Sequence, residues 1–140
     1  MSHDPKRIYD VASSFFMAAD RCFEKHKNED KTFQMPLVPA VVCTAFGIEL
    51  GMKSILSQEG KKVTGHELKK LFIKLSSESK NELSELMDMP ESELRKKIIT
   101  ISKVFVEWRY IYEKNQAILD ETFIRKLANK VHILATNKIN

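Results

Sequence analysis

Residues 36–58, PLVPAVVCTAFGIELGMKSILSQ, decide how this chain folds. Val38, Val41, Val42, Ala45, Ile48, Met52, Ile55 and Leu56 recur every three or four positions, which is the period of a helix buried along one side. The helix starts near Pro36 or Pro39, since proline suits a first turn, and runs to Gln58. Gly47 and Gly51 each cost roughly 1 kcal/mol against alanine in a helix. Their spacing of four puts both on one face, and the economical reading is a smooth patch where a neighbouring helix packs close.

The pattern repeats on both sides of this segment. Before it, Ile8, Val11, Ala12, Phe15, Ala19, Cys22 and Phe23 mark a helix from Asp4 to about His26, closed by the polar stretch KHKNEDKTFQ. After it, Leu68, Leu71, Phe72 and Leu75 form a stripe behind TGHELKKLF, where Thr64 and Glu67 read as a capping box. Ser79 and Glu82 repeat the device ahead of Leu83, Leu86 and Met87. From Pro90 the seam Leu94, Ile98, Ile101, Phe105, Trp108 and Tyr112 suggests some six continuous turns ending near Asn115, widened by Val104 and Ile111. Asp120 is a good N-cap for a last helix carrying Phe123, Leu127, Val131 and Leu134. No strand pattern of any length emerges. The expected fold is all-α, an up-and-down bundle of about five helices forming one domain over residues 1–140.

Composition agrees with that class: 43% hydrophobic and 30% charged residues, with few glycines and prolines to break helices. The net charge of +4 tolerates an anionic partner without demanding one. Its basic runs, such as Arg95-Lys96-Lys97, have acids nearby and read as solvated helix faces. Cys22 and Cys43 lie in apolar patterns with no CxxC, which points to buried thiols in a reducing compartment. The polar start MSHDPKRIYD is no signal peptide, and no apolar run approaches the roughly 20 residues that span a bilayer. A soluble cytoplasmic protein with no membrane role is expected.

Chemistry-bearing residues are sparse. His3, His26, His66 and His132 share no metal-ligand spacing, so neither a metal nor another cofactor is expected. Phosphate-cradling glycine loops and nucleophile elbows are absent as well. What remains is a polar centre within apolar helices. Glu49 falls on or beside the buried stripe, with Lys53 four residues later in the favourable orientation. In FVEWRYIYEKNQ, residues 105–116, Arg109 precedes Glu113 by the same interval. A carboxylate near a core wants a fork of donors, so Arg109 is expected to pair with Glu49 or Glu113. Alternatively, Arg109 faces RNA phosphate while Tyr110 or Tyr112 stacks on a base. Helical spacing assigns Tyr112 to the core and Tyr110 to the surface.

Taken in order, FGIELGMKSIL, GHELKKLF and FVEWRYIYE resemble the HEPN family (higher eukaryotes and prokaryotes nucleotide-binding domains) from about Val38 to Leu134. The resemblance implies a helical bundle that is commonly dimeric, with its late helices near the interface. Many members are metal-independent ribonucleases of bacterial toxin–antitoxin and phage-defence systems. Their motif is an arginine, then four to six intervening residues, then a histidine. Arg109 matches the arginine, but Lys114, Asn115 and Gln116 stand in the histidine positions, and none transfers protons readily near neutral pH. The implied function is therefore a non-catalytic binding or dimerisation module centred on Glu49, Lys53, His66, Tyr110 and Tyr112. Its expected partners are a second copy, RNA or a nucleotide, or a nucleotidyltransferase-like antitoxin. The alternative is a ribonuclease toxin using Arg109 with a substitute such as Glu113, Tyr112 or His66.

Overall fold

A computed structural model describes residues 3–24, 26–31, 33–113 and 119–140. The chain forms an all-α bundle. In order come α1 (Pro5–Phe23), a two-residue antiparallel pair β1 (His26–Lys27) and β2 (Phe33–Gln34), α2 (Leu37–Gln58), α3 (Leu68–Lys74), α4 (Ser77–Met87), α5 (Glu91–Thr100), α6 (Val104–Arg109), a 3-10 turn (Ile111–Glu113) and α7 (Glu121–Ile139).

The central helix is α2, against which α1, α6 and α7 pack. Val41, Ala45, Ile48, Met52, Ile55 and Leu56 are fully buried, as their spacing requires. Length and hydropathy alone would let α2 cross a membrane, contrary to the sequence expectation, but 67% of its most apolar window is buried within the bundle. The two glycines are packing positions. A Cβ on Gly47 would lie 2.8 Å from two carbons of the Phe16 ring, and one on Gly51 would lie 2.7 Å from Cγ1 of Val131. Helices α1 and α7 thus each press a side chain into the space that a missing Cβ leaves on α2.

Helices α1 and α7 run antiparallel and are laced by polar pairs of nearly constant register. Tyr9 Oη lies 2.8 Å from Thr136 Oγ1, Ser13 Oγ lies 3.0 Å from His132 Nε2, and Lys6 Nζ donates to Asn140 Oδ1 at 3.1 Å. Both outer helices begin at aspartate caps, of which Asp120 was expected. Asp4 accepts from the Lys6 amide and Asp120 from the Phe123 amide, each at 3.0 Å.

Four expectations need correction. The late seam is not one helix. Ser102 gives its carbonyl to the Leu68 amide (3.2 Å) and its hydroxyl to the Lys69 amide (2.9 Å). In a continuous helix that carbonyl would accept from residue 106. Serving α3 instead takes the chain out of helical register between α5 and α6. The same contacts replace the expected capping box, for Glu67 occupies the N-cap of α3 without a side-chain bond. Likewise α4 starts earlier than Ser79. Ser76 is its N-cap, and Glu59 at the end of α2 collects the Ser76 amide and hydroxyl and the Ser79 hydroxyl, at 3.0, 2.7 and 2.6 Å. Burial works against the Glu59 charge, but these Ser79 and Ser76 donors outweigh it and hold the carboxyl below its ordinary range. Finally, the first connection contains the small β1–β2 pair, too short to leave a strand signature in sequence.

Candidate functional site

The apolar stripe of α2 carries one ionisable side chain into the core. Glu49 is fully buried, and its Oε2 accepts from Lys53 Nζ at 3.0 Å, one turn later on the same helix. The same oxygen lies 3.0 Å from His66 Nδ1. Because a carboxylate only accepts, the imidazole must carry its proton on Nδ1. The other oxygen, Oε1, is buried with no hydrogen-bond partner among the described residues. Exposure rises steeply across the three groups: the side chain of Glu49 is 1% exposed, that of Lys53 13% and that of His66 62%.

His66 owes its place to the loop between α2 and α3. Gly65 adopts φ +100°, a conformation that side chains rarely permit, and turns the chain just before the histidine. Two residues later the Ser102 bonds pin the start of α3. An imidazole fixed through Nδ1 to a carboxylate presents Nε2 outward, free to accept a hydrogen bond or a proton. Glu49 therefore sets the tautomer and orientation of an otherwise open ring.

Helix α6 approaches α2 through an aromatic stack, Phe105 on Phe46, with centroids 4.5 Å apart and planes 11° from parallel. Arg109, one turn beyond Phe105, does not pair with Glu49 or Glu113. Its guanidinium lies 4.6 Å from the Phe105 ring centroid and 5.5 Å from that of Tyr110. Among the described residues it makes no ion pair, so its charge faces solvent from an aromatic seat. The physical reason is that Glu49 Oε2 already has two hydrogen-bond partners nearer in sequence, Lys53 and His66, and α6 ends at Arg109 before Glu113 can follow one helical turn behind.

That ending also corrects the placement of Tyr112, while Tyr110 is exposed as expected. The 3-10 turn breaks the seam after Arg109, so Tyr112 leaves the core line and is 78% exposed, while Tyr110 is 47% exposed. Their rings meet edge-on at 6.5 Å. Glu113 is exposed in the same turn. The structure thus joins Glu49, Lys53 and His66 in one cluster and places Arg109, Tyr110, Tyr112 and Glu113 at the end of α6 and in the turn that follows. Lys114, Asn115 and Gln116 lie outside the described residues.

Sequence reasoning missed Ser102 and the Phe46–Phe105 stack. Neither carries a local signal, since both depend on contacts between distant segments. It also passed over His132, which stacks on Phe16 at 4.8 Å and whose pKa is lowered, chiefly by burial, against an opposing pull from Asp20. Among the described residues, no three His, Cys, Asp or Glu side chains gather as a metal-ligand set. Comparison with protein-family models, with curated proteins and with solved structures gives no match.

Proposed function

We propose that this chain is a HEPN-like helical module that pairs with a second copy of itself through α6 and the following 3-10 turn, and that it binds rather than cuts. The observation carrying this reading is the exposure of Tyr112 beside Tyr110, Val106 and Arg109, which makes no ion pair among the described residues. Clustered aromatic and arginine side chains are what protein interfaces concentrate. Only Val104 is buried within α6, and no residue of the 3-10 turn is. So short a helix is marginal without packing, and a partner surface would supply it. Arg109 at the end of α6 and Glu113 in the following turn carry opposite charges. A two-fold axis would bring each arginine to the other copy's carboxylates.

The order of the HEPN-like motifs supports the same reading, as does the lack of histidine at residues 114–116. In this view the protein works in the cytoplasm within a bacterial defence or toxin–antitoxin-type system. A nucleotidyltransferase-like antitoxin or an RNA would be a further partner of the dimer. Sedimentation velocity over a concentration series tests the pairing. Wild type should shift to the dimer as concentration rises, and a folded Tyr112→Asp variant should stay monomeric. A wild-type protein that remains monomeric throughout contradicts it.

One observation favours a second reading, a metal-independent ribonuclease. His66 held by Glu49 is an oriented imidazole with an open nitrogen, fit to stand in for the missing histidine, while Arg109 would contact phosphate. RNA cleavage in chelator distinguishes the two. Cleavage lost in both His66→Ala and Arg109→Ala supports the enzyme, and no cleavage by wild type supports the binding module.

A further inference from the structure

Cys22 stands one residue before the end of α1, and Cys43 lies in the second turn of α2. The two helices run antiparallel, since Ser57 Oγ near the end of α2 donates to the His3 carbonyl ahead of α1, while Phe15 meets Phe46 edge-on at 4.6 Å and Phe16 fills the space beside Gly47. Six residues forward from Phe16 is Cys22, and six back from Gly47 is Val41. Cys43 is two residues from that level by the Phe16–Gly47 contact and four by the Phe15–Phe46 contact, roughly 3–6 Å along the helix axis. Cys22 also lies two turns beyond Phe15, and Cys43 lies three residues before Phe46. Both cysteines therefore share the side of the seam that holds the Phe15–Phe46 pair. Each is half-buried, and neither is bonded.

We propose that Cys22 and Cys43 are a dithiol pair that closes to an intramolecular disulfide between α1 and α2 on reaction with a small-molecule disulfide. Cys43 is held in the thiol form by burial and, secondarily, by the nearby Cys22 sulfur, which is consistent with the two sulfurs being neighbours. The first attack therefore falls to the Cys22 thiolate. Its Sγ displaces one thiolate from the reagent disulfide, giving a mixed disulfide on Cys22. The Cys43 thiol then loses its proton to solvent, attacks the Cys22 Sγ and expels the second reagent thiolate. Two protein thiols are oxidised and one reagent disulfide is reduced to two thiols, so electrons and protons balance. The bond would staple the two helices across the 20 intervening residues. It would also pin one wall of a cavity of about 470 Å³ lined by Phe23 and Thr44, the neighbours of the two cysteines, together with His132 and Arg125.

Glutathione disulfide is the probe. The folded, reduced full chain is incubated with it, and the product is read by intact mass, non-reducing electrophoresis and peptide mapping. The expected product is a monomer about 2 Da lighter, with both thiols lost together and Cys22 linked to Cys43. Cys22→Ser and Cys43→Ser should each block that product, and Cys43→Ser should accumulate the mixed disulfide on Cys22. Three results overturn the proposal: both thiols surviving in wild type, wild type stopping at stable glutathionyl adducts, or a covalent dimer in place of the internal bond.

Discussion

His66 Nδ1 lies 3.0 Å from Glu49 Oε2, so a largely exposed imidazole is held by a carboxylate rooted in the core of the bundle. Lys53 shares that oxygen, and the three groups form a gradient from dry to wet along one side of α2. Glu49→Gln leaves the Lys53 ammonium beside an amide and removes the charge that orients His66. We expect a loss of about 2–3 kcal/mol, since breaking one side of a buried pair strands the other. His66→Ala should cost about 1 kcal/mol or less, because its side of the pair is open to water. Denaturant titration of both variants checks the ordering. Equal stability of Glu49→Gln and wild type would remove the structural role of the cluster.

Gly51→Ala sets two effects against each other. Helix propensity favours alanine by about 1 kcal/mol. The new Cβ, however, would stand 2.7 Å from Cγ1 of Val131, and overpacking of that kind costs about 1–3 kcal/mol. The valine is fully buried on α7 and has little room to retreat, so a net loss is expected. Gly51→Ala combined with Val131→Ala should recover part of it. A melting temperature raised by Gly51→Ala alone would show that the helices are not in close contact there.

Ser102→Ala removes the hydroxyl that accepts the Lys69 amide and leaves the backbone bond to Leu68 in place. The expected cost is about 1 kcal/mol, the usual worth of a helix cap. Amide exchange should speed up first at the start of α3, which separates this effect from general destabilisation.

The fold could be read from the sequence wherever the signal was local. The stripe of α2, the Asp120 cap, and the Glu49–Lys53 pair at one helical turn all follow from spacings of three or four residues. What could not be read depends on distance in sequence. His66 reaches Glu49 across 17 residues, and Ser102 caps a helix more than 30 residues earlier. By diverting its carbonyl, Ser102 also breaks the late seam. That seam looks continuous because Ile98, Phe105 and Trp108 keep the helical period across the break. Tyr112 was misplaced for a related reason, as a 3-10 turn has a different period from the α-helix preceding it.

Two groups give the protein separate acid responses. Burial holds the His132 pKa below 6.5, so its neutral form is favoured by folding. The unfolded chain binds the proton more readily, and stability is full above pH 6.5 and declines as pH falls through the depressed folded value. His132→Gln should flatten that decline. Glu59 has its pKa depressed below 4.5, so its contribution is present above that value and is lost in more acid solution. Glu59→Gln should lower stability at neutral pH and remove the more acidic slope. Chemical denaturation across pH for each variant reads both. An unchanged pH profile in His132→Gln would refute the assignment of the upper window.

The surface around Arg109 and Tyr112 is the centre of the functional reading, and hydrogen exchange tests it most directly. Amides from Val104 to Glu113 are compared at low and high concentrations of the wild-type chain. Pairing through this face should slow their exchange as concentration rises, with α3 and α4 unaffected. Equal exchange at both concentrations, or protection appearing only elsewhere, would contradict the claim that the chain dimerises through α6.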